Sequence, residues 1–283
     1  MRIPDWLVYS VVLAVVFTAI FVRGEDEGPA FAPSSRIERL DPPPPVIALG
    51  PDLPASDPFD EKVLVQVGAV EDGVGTAFAI HRSGTWLTAR HVVDGCSRIG
   101  LVVGGGRVAE VDEVRVSEDS DLALLYTDRA PRALSLDLER QLRVGEFGYH
   151  VGFPHGAFAQ ASSQLLTRSQ LVTRGRYEGE EPVLAWVETG RTSSSGASLA
   201  GMSGGPVFDD GGAVIGVTIA ESLGRGRIYT AAPASIDRFL EENGFTPEPE
   251  EAMTTAMVSG APDADRLRRD LAVVKVVCQV NAP

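Results

Sequence analysis

The chain has 283 residues, 44% of them hydrophobic and 23% charged, with 25 Lys and Arg against 39 Asp and Glu for a formal net charge of −14. That is enough for one large or two small globular domains with real cores, and it excludes the basic footprint of a nucleic-acid binder. Two cysteines and four histidines without ligand spacing predict no metal centre, and nothing in the sequence implies a cofactor.

The first element is apolar. Trp6 to Val22 is a run of seventeen residues without a charge, which at ~1.5 Å per residue just spans a hydrocarbon core of roughly 30 Å. A transmembrane helix over residues 1–22 is therefore expected. The competing reading is a cleaved signal peptide, but Ala30-Phe31-Ala32 comes late for a cleavage site and is followed by Pro33. Arg2 lies before the span, and Glu25, Asp26 and Glu27 follow Arg23 after it. This arrangement favours the bulk of the protein on the periplasmic or extracytoplasmic side. Residues 23–58, with Pro42-Pro43-Pro44-Pro45, are too rich in proline and charge to pack and predict an extended linker.

From Phe59 the pattern changes. Short apolar runs at Val63–Val70, Val74–Ile80, Ile99–Val103, Leu122–Tyr126, Val183–Val187 and Ala213–Ala220 are separated by Gly and Asp/Ser turns. Their length and spacing predict an all-β sandwich or barrel. One helix is expected from Pro233 through Ile236, Phe239 and Leu240 to Asn243-Gly244, with Pro at its start and Asn-Gly at its end. Residues 59–243 are thus read as one β-rich domain and 244–283 as a C-terminal tail. The tail is acidic over 245–270 and ends in a strand at Leu271–Val280.

Three stretches carry chemistry. His91 follows a short apolar run in TWLTARHVVDGC, Asp121 stands at the mouth of another in SEDSDLALLY, and Ser203 sits in GMSGGPVF. Serine is a weak nucleophile and needs an adjacent base. Histidine is that base near neutral pH, and a buried carboxylate fixes its tautomer and stabilises the imidazolium. The glycines beside Ser203 let backbone N–H groups, those of Gly201 and Ser203, converge on an oxyanion. Each piece alone is weak, since a glycine-flanked serine is usually a turn. The order His…Asp…Ser, with gaps of 121−91 = 30 and 203−121 = 82 residues, makes the combination informative. Gly201-Met202-Ser203-Gly204-Gly205 also fits the G-x-S-x-G elbow of α/β-hydrolases. That fold needs its histidine after the serine, and His81, His91, His150 and His155 all precede it.

The stretches GTAFAI, GTWLTARHVV, DLALL, GFPHG and GMSGGPVF…GGAVIGVTIA resemble the trypsin-like serine proteases, in particular the bacterial branch related to HtrA/Deg. The resemblance covers residues 60–240. It implies a two-barrel all-β fold with the cleft between barrels, and a serine endopeptidase acting through an acyl-enzyme. It gives His91, Asp121 and Ser203 the triad roles, Gly201 and Ser203 the oxyanion hole, and Thr218, Ile219 and Ala220 the strand that pairs with a protein or peptide substrate. It places Ala197 at the floor of the specificity pocket, uncharged, so a preference for Arg or Lys is not expected. Two departures matter. Only 283−243 = 40 residues follow the barrels, too few for the PDZ domain of Deg members, and Met202 stands where zymogen-type members have Asp. A silent barrel that binds a peptide or partner protein, with its oxyanion hole collapsed, and an esterase of the same fold remain open alternatives at this point.

His81 and His150 are read as structural; His155 is read as a surface turn histidine, with a role near the cleft as the alternative, and Ser193, Ser194, Ser195 and Ser198 as a solvated polar loop, with a border of the specificity pocket as the alternative. Glu221 is kept as a carboxylate that a loop could bring into the pocket. Cys96 lies five residues after His91, and Cys278 lies in the terminal apolar run. A Cys96–Cys278 disulfide, pinning the tail beside the first barrel, is favoured over two separate buried thiols.

Overall fold

A computed structural model describes residues 47–192, 198–246, 252–258 and 261–280. The apolar segment Trp6–Val22, the proline run and Ala197 lie outside them. Among the described residues no helix is long and apolar enough to cross a membrane.

Fourteen strands form two seven-stranded sheets. In chain order they are β1 (Lys62–Val67), β2 (Gly73–His81), β3 (Thr85–Thr88), β4 (Arg98–Val102), β5 (Val108–Glu110), β6 (Glu113–Val116) and β7 (Ala123–Tyr126), then β8 (Phe147–Gly152), β9 (Ala159–Gly175), β10 (Gly179–Arg191), β11 (Pro206–Phe208), β12 (Val214–Ser222), β13 (Arg227–Ala231) and β14 (Val273–Gln279). Three helices accompany them, α1 (Arg90–Val93), α2 (Pro233–Glu242) and α3 (Ala264–Arg269).

The first sheet runs β5-β4-β14-β2-β3-β7-β6. The second runs β1-β9-β10-β13-β12-β11-β8, and β8 also pairs with β9. Six strands of the second sheet therefore close into a barrel, and β1 joins it from outside, parallel to β9. Among the described residues no ladder joins the edge strands β5 and β6, so the first sheet is not closed in the same way.

The apolar runs are continuous because most of these strands are buried on both faces. Side chains alternate across a strand. On β2, Phe78 and Ile80 enter a cluster shared with Leu87 and with Val151, Val217 and Tyr229 of the second sheet. Ala77 and Ala79 turn the other way, onto Trp86, Leu101, Leu125 and Val276. A third cluster fills the second barrel around Leu165, Leu184, Trp186 and Ile215. The cluster shared by both sheets also takes Ile236, Phe239 and Leu240 of α2, at helical spacing. That helix ends where Gly244 adopts φ +66° and Phe245 N–H reaches back to the Leu240 carbonyl.

Two segments differ from their sequence reading. The linker expected up to residue 58 is shorter, because residues 47–58 are attached to the second barrel. Leu53 is buried with Leu142, Leu165 and Met202, and the Gly50 and Leu53 N–H groups donate to the Val144 and Leu142 carbonyls. One leucine with two backbone ladder bonds is a weak signal among Pro51, Pro54 and Pro58. The terminal strand is no appendage either: β14 lies inside the first sheet, antiparallel to β2 on one side and β4 on the other. Residues after 243 thus supply part of that sheet. Cys96 and Cys278 form a disulfide with Cα atoms 5.5 Å apart, tying β14 to the turn that follows α1.

Candidate active site

His91 is the second residue of α1, a single turn with no side-chain cap at Ala89. The first N–H groups of a helix have no partner inside it. Here Asp121 supplies one: its Oδ1 accepts the His91 N–H at 2.9 Å, and its backbone carbonyl accepts the Arg90 N–H at 3.2 Å. The same carboxylate reaches the ring, with Oδ2 2.6 Å from His91 Nδ1. One side chain thereby fixes both the backbone and the imidazole of His91.

Burial alone would push the imidazolium toward losing its proton, but the Asp121 charge and hydrogen bond outweigh it, and the His91 pKa is raised. For Asp121 burial opposes ionisation, yet the His91 charge and the bonds from His91 and Tyr177 hold its pKa below the ordinary value. The pair is set up as carboxylate and basic imidazole, with Nδ1–H facing the carboxylate.

Ser203 lies across a cleft of about 480 Å³ lined by His91, Asp121, Gly201, Ser203, Ile219 and Ala220 among others. The loop that carries Ser203 is threaded between the sheets. Thr76 of β2 donates its N–H to the Ser203 carbonyl at 2.9 Å and its hydroxyl to the Gly201 carbonyl at 2.8 Å. Gly204 donates to the Thr218 carbonyl, and the Thr218 N–H donates to the Gly205 carbonyl. At Gly204, with φ +84°, a Cβ would stand 2.1 Å from the Thr76 carbonyl oxygen, so only glycine fits.

The turn Phe153–Gly156 holds the loop that leads into Gly201. His155 donates its backbone N–H to the Ala200 carbonyl at 2.8 Å, and its ring Nε2 lies 3.1 Å from the Ser198 carbonyl. In a trans peptide the N–H opposes the C=O. The Gly201 N–H is therefore turned away from the Phe153–Gly156 turn. Among the described residues neither the Gly201 nor the Ser203 N–H has a hydrogen-bond partner, and both residues line the cleft. From the other side, Glu221 accepts the Leu199 N–H at 2.9 Å through both oxygens and also the Ser198 hydroxyl. Glu221 lines the cleft, but its carboxylate is occupied by this loop.

Other expected residues fall as follows. Ile219 and Ala220 line the cleft. Thr218 does not; its hydroxyl lies 3.0 Å from His150 Nδ1, inside the barrel. His150 is fully buried, and burial lowers its pKa to about 3, so it is a neutral bridge between Thr218 and Ser163. His81 binds Ser83 on the turn after β2. Met202 is buried among Leu53, Leu199 and Val207, an apolar seat with no place for a charged partner. Residues missed by the sequence reading are Thr76, Tyr177 and Glu181, with His155 holding a loop it was not assigned to. Only the positive φ of His155 (+51°), required between Pro154 and Gly156, had a local signal in the Pro-His-Gly turn.

An Asp–His pair and a glycine-flanked serine line one cleft between two β-sheets, the arrangement of residue types that serine-type hydrolases use. The sequence profile of the trypsin-like peptidase domain matches residues 75–217, and the chain belongs to that family. It is 29% identical over 188 residues to the putative serine protease HhoA of Synechocystis, covering 62% of this chain and 45% of that protein. It is 31% identical over 169 residues to a probable periplasmic serine endoprotease, DegP-like, of Rhizobium meliloti, covering 57% and 31%. The chain thus matches less than half the length of these relatives. The active form of the Mycobacterium tuberculosis protease Rv3671c shares the fold with TM-score 0.50 at 18% identity, over 67% of this chain and 78% of that one.

Proposed function

We propose that the protein is a serine endopeptidase in which Ser203 attacks the scissile carbonyl and His91 takes its proton. Asp121 holds the imidazole and stabilises its charged form. The tetrahedral oxyanion is bound by the N–H groups of Gly201 and Ser203, and the acyl-enzyme is released by water activated by the same histidine. The observation that carries this reading is the 2.6 Å Asp121–His91 contact in the cleft that Ser203 lines. The Ala200 carbonyl is bonded to His155 rather than turned into the cleft. That weighs against a silent module with a collapsed oxyanion hole.

The cleft-lining residues Ile219 and Ala220 are assigned to pairing with the substrate backbone, and the uncharged Ala197 to the pocket floor. The relatives include proteases named periplasmic. With the apolar span Trp6–Val22, this supports a protease domain tethered to a membrane and working outside the cytoplasm. The test is labelling of Ser203 by a fluorophosphonate, followed by digestion of a peptide library. Ser203→Ala and His91→Ala should each lower turnover by roughly 10⁶-fold, and Asp121→Ala somewhat less. Peptidase activity surviving in Ser203→Ala overturns the assignment, and labelling without peptide cleavage points to an esterase.

A further inference from the structure

The β9–β10 hairpin touches the Asp121–His91 pair three times, through Arg176 and Tyr177 in its turn and Glu181 on β10. Tyr177 donates its hydroxyl to Asp121 Oδ1 at 2.9 Å, the oxygen that also accepts the His91 N–H. Glu181 Oε1 accepts the Asp121 N–H at 2.8 Å. Arg176 donates to the His91 carbonyl at 3.4 Å. The phenol is itself held in place, with the Arg90 guanidinium stacked 4.1 Å from its ring centroid.

A carboxylate that must present one oxygen to an imidazole is free to rotate about its last bond unless the other oxygen is fixed. Two donors on Oδ1 fix it, and a hydroxyl hydrogen bond also draws charge from the carboxylate. Burial, and then the charge of Asp121, push the Tyr177 phenol pKa upward, so the group stays a donor over the working range. Thr218, on the strand that borders the cleft, does not offer its hydroxyl instead, because that group serves His150. Resting on the peptidase reading above, we propose that Tyr177 is a positioning residue of the catalytic machinery, a fourth member that acts on His91 through Asp121. It sets both the rotation of the carboxylate and the basicity of the imidazole. The other ionisable groups near the pair include Arg90 on α1, Asp94 just after it, Arg176 beside Tyr177, Glu181 on β10, and Glu118, Asp119, Glu178 and Glu180 around the same turn.

The experiment uses the full chain and Tyr177→Phe, which keeps the ring and its stacking on Arg90. The second-order rate of fluorophosphonate labelling is measured against pH, and the His91 ring is titrated by NMR with ¹⁵N-histidine. Loss of one hydrogen bond to a buried charge is expected to slow labelling about tenfold. It should also raise the His91 titration midpoint by roughly half a unit, since Asp121 keeps more of its charge. The KM for a peptide substrate should not change, because Tyr177 touches no part of the cleft's substrate wall. Labelling at the wild-type rate with an unmoved His91 midpoint overturns the inference and leaves the peptidase reading intact. Failure of the wild type to label sinks the peptidase reading. The NMR midpoint then decides separately whether Tyr177 acts on His91.

Discussion

Glu181 places a carboxyl group where ionisation is costly. It is 4% exposed, Oε2 has no hydrogen-bond partner, and burial followed by the charge of Asp121 raises its pKa to about 8. The groups facing it are Asp121 from the loop before β7, Arg90 on α1, Tyr177 on the hairpin turn and Arg238 on α2. Its folded value lies above the ordinary one of 4.5. Between these values the native state keeps a proton that the unfolded chain has released, so stability falls as pH rises through that window. Glu181→Gln is neutral throughout and still accepts the Asp121 N–H. Thermal melts should show the variant gaining on the wild type from about pH 5 to about pH 8. A constant difference across that range would mean the wild-type group is ionised at both ends. Gly201 offers a second residue-scale prediction. It has φ +100°, and a Cβ there would stand 2.5 Å from the Phe153 carbonyl oxygen. Gly201→Ala should displace the Ala200–Gly201 peptide and cut kcat by about 10²–10³, as loss of one oxyanion donor does elsewhere, with Ser203 still present. Burst labelling and kcat measured together check this. His91, Asp121 and Ser203 were legible because each lies in a run of distinctive local residues. Tyr177, Glu181 and Thr76 were not, because their chemistry comes from contacts 56, 60 and 125 residues away along the chain. Nothing in RYEGEE distinguishes a tyrosine aimed at a carboxylate from one on a solvated turn.

At the scale of elements, the apolar runs located six of the strands and the Pro and Asn-Gly signals bounded α2 to within two residues. What they could not give was partnership. The run at Leu271–Val280 reads as a strand, but its neighbours β2 and β4 lie about two hundred residues earlier, and pairing at that distance has no local signature. The seventeen-residue strand β9 was hidden for another reason: after Ser162 its polar and apolar residues come in blocks (Ser162-Ser163-Gln164, Leu165-Leu166, Thr167–Gln170, Leu171-Val172) that show no strand alternation. Because β14 has a neighbour on each side, removing residues 271–283 should leave the first sheet unable to fold. Circular dichroism and loss of cooperative melting would show it; a truncated chain with a native melt would contradict the placement. The disulfide closes a loop of 182 residues. Replacing both cysteines by serine should lower stability by about 2–4 kcal/mol, measured by denaturant unfolding with and without reductant. Trimming the chain to Phe59 should lower stability too, because Leu53 leaves a cavity among Leu142, Leu165 and Met202. It should not activate the enzyme, since Met202 offers no carboxylate to a new N-terminus.

For the molecule as a whole, β14 sets an order of events. The sheet that carries His91 and Asp121 lacks an interior strand until residue 279 has left the ribosome and reached the same compartment as the rest of the chain. Ser203 and its barrel are complete in sequence by Ala231, well before that. A nascent chain emerging from the N-terminus therefore completes the strands that flank Ser203 before it completes the sheet that carries His91. On the proposed peptidase reading, Ser203 lacks a working base until that sheet is complete. On the same reading, peptide cleavage waits until β14 is in place.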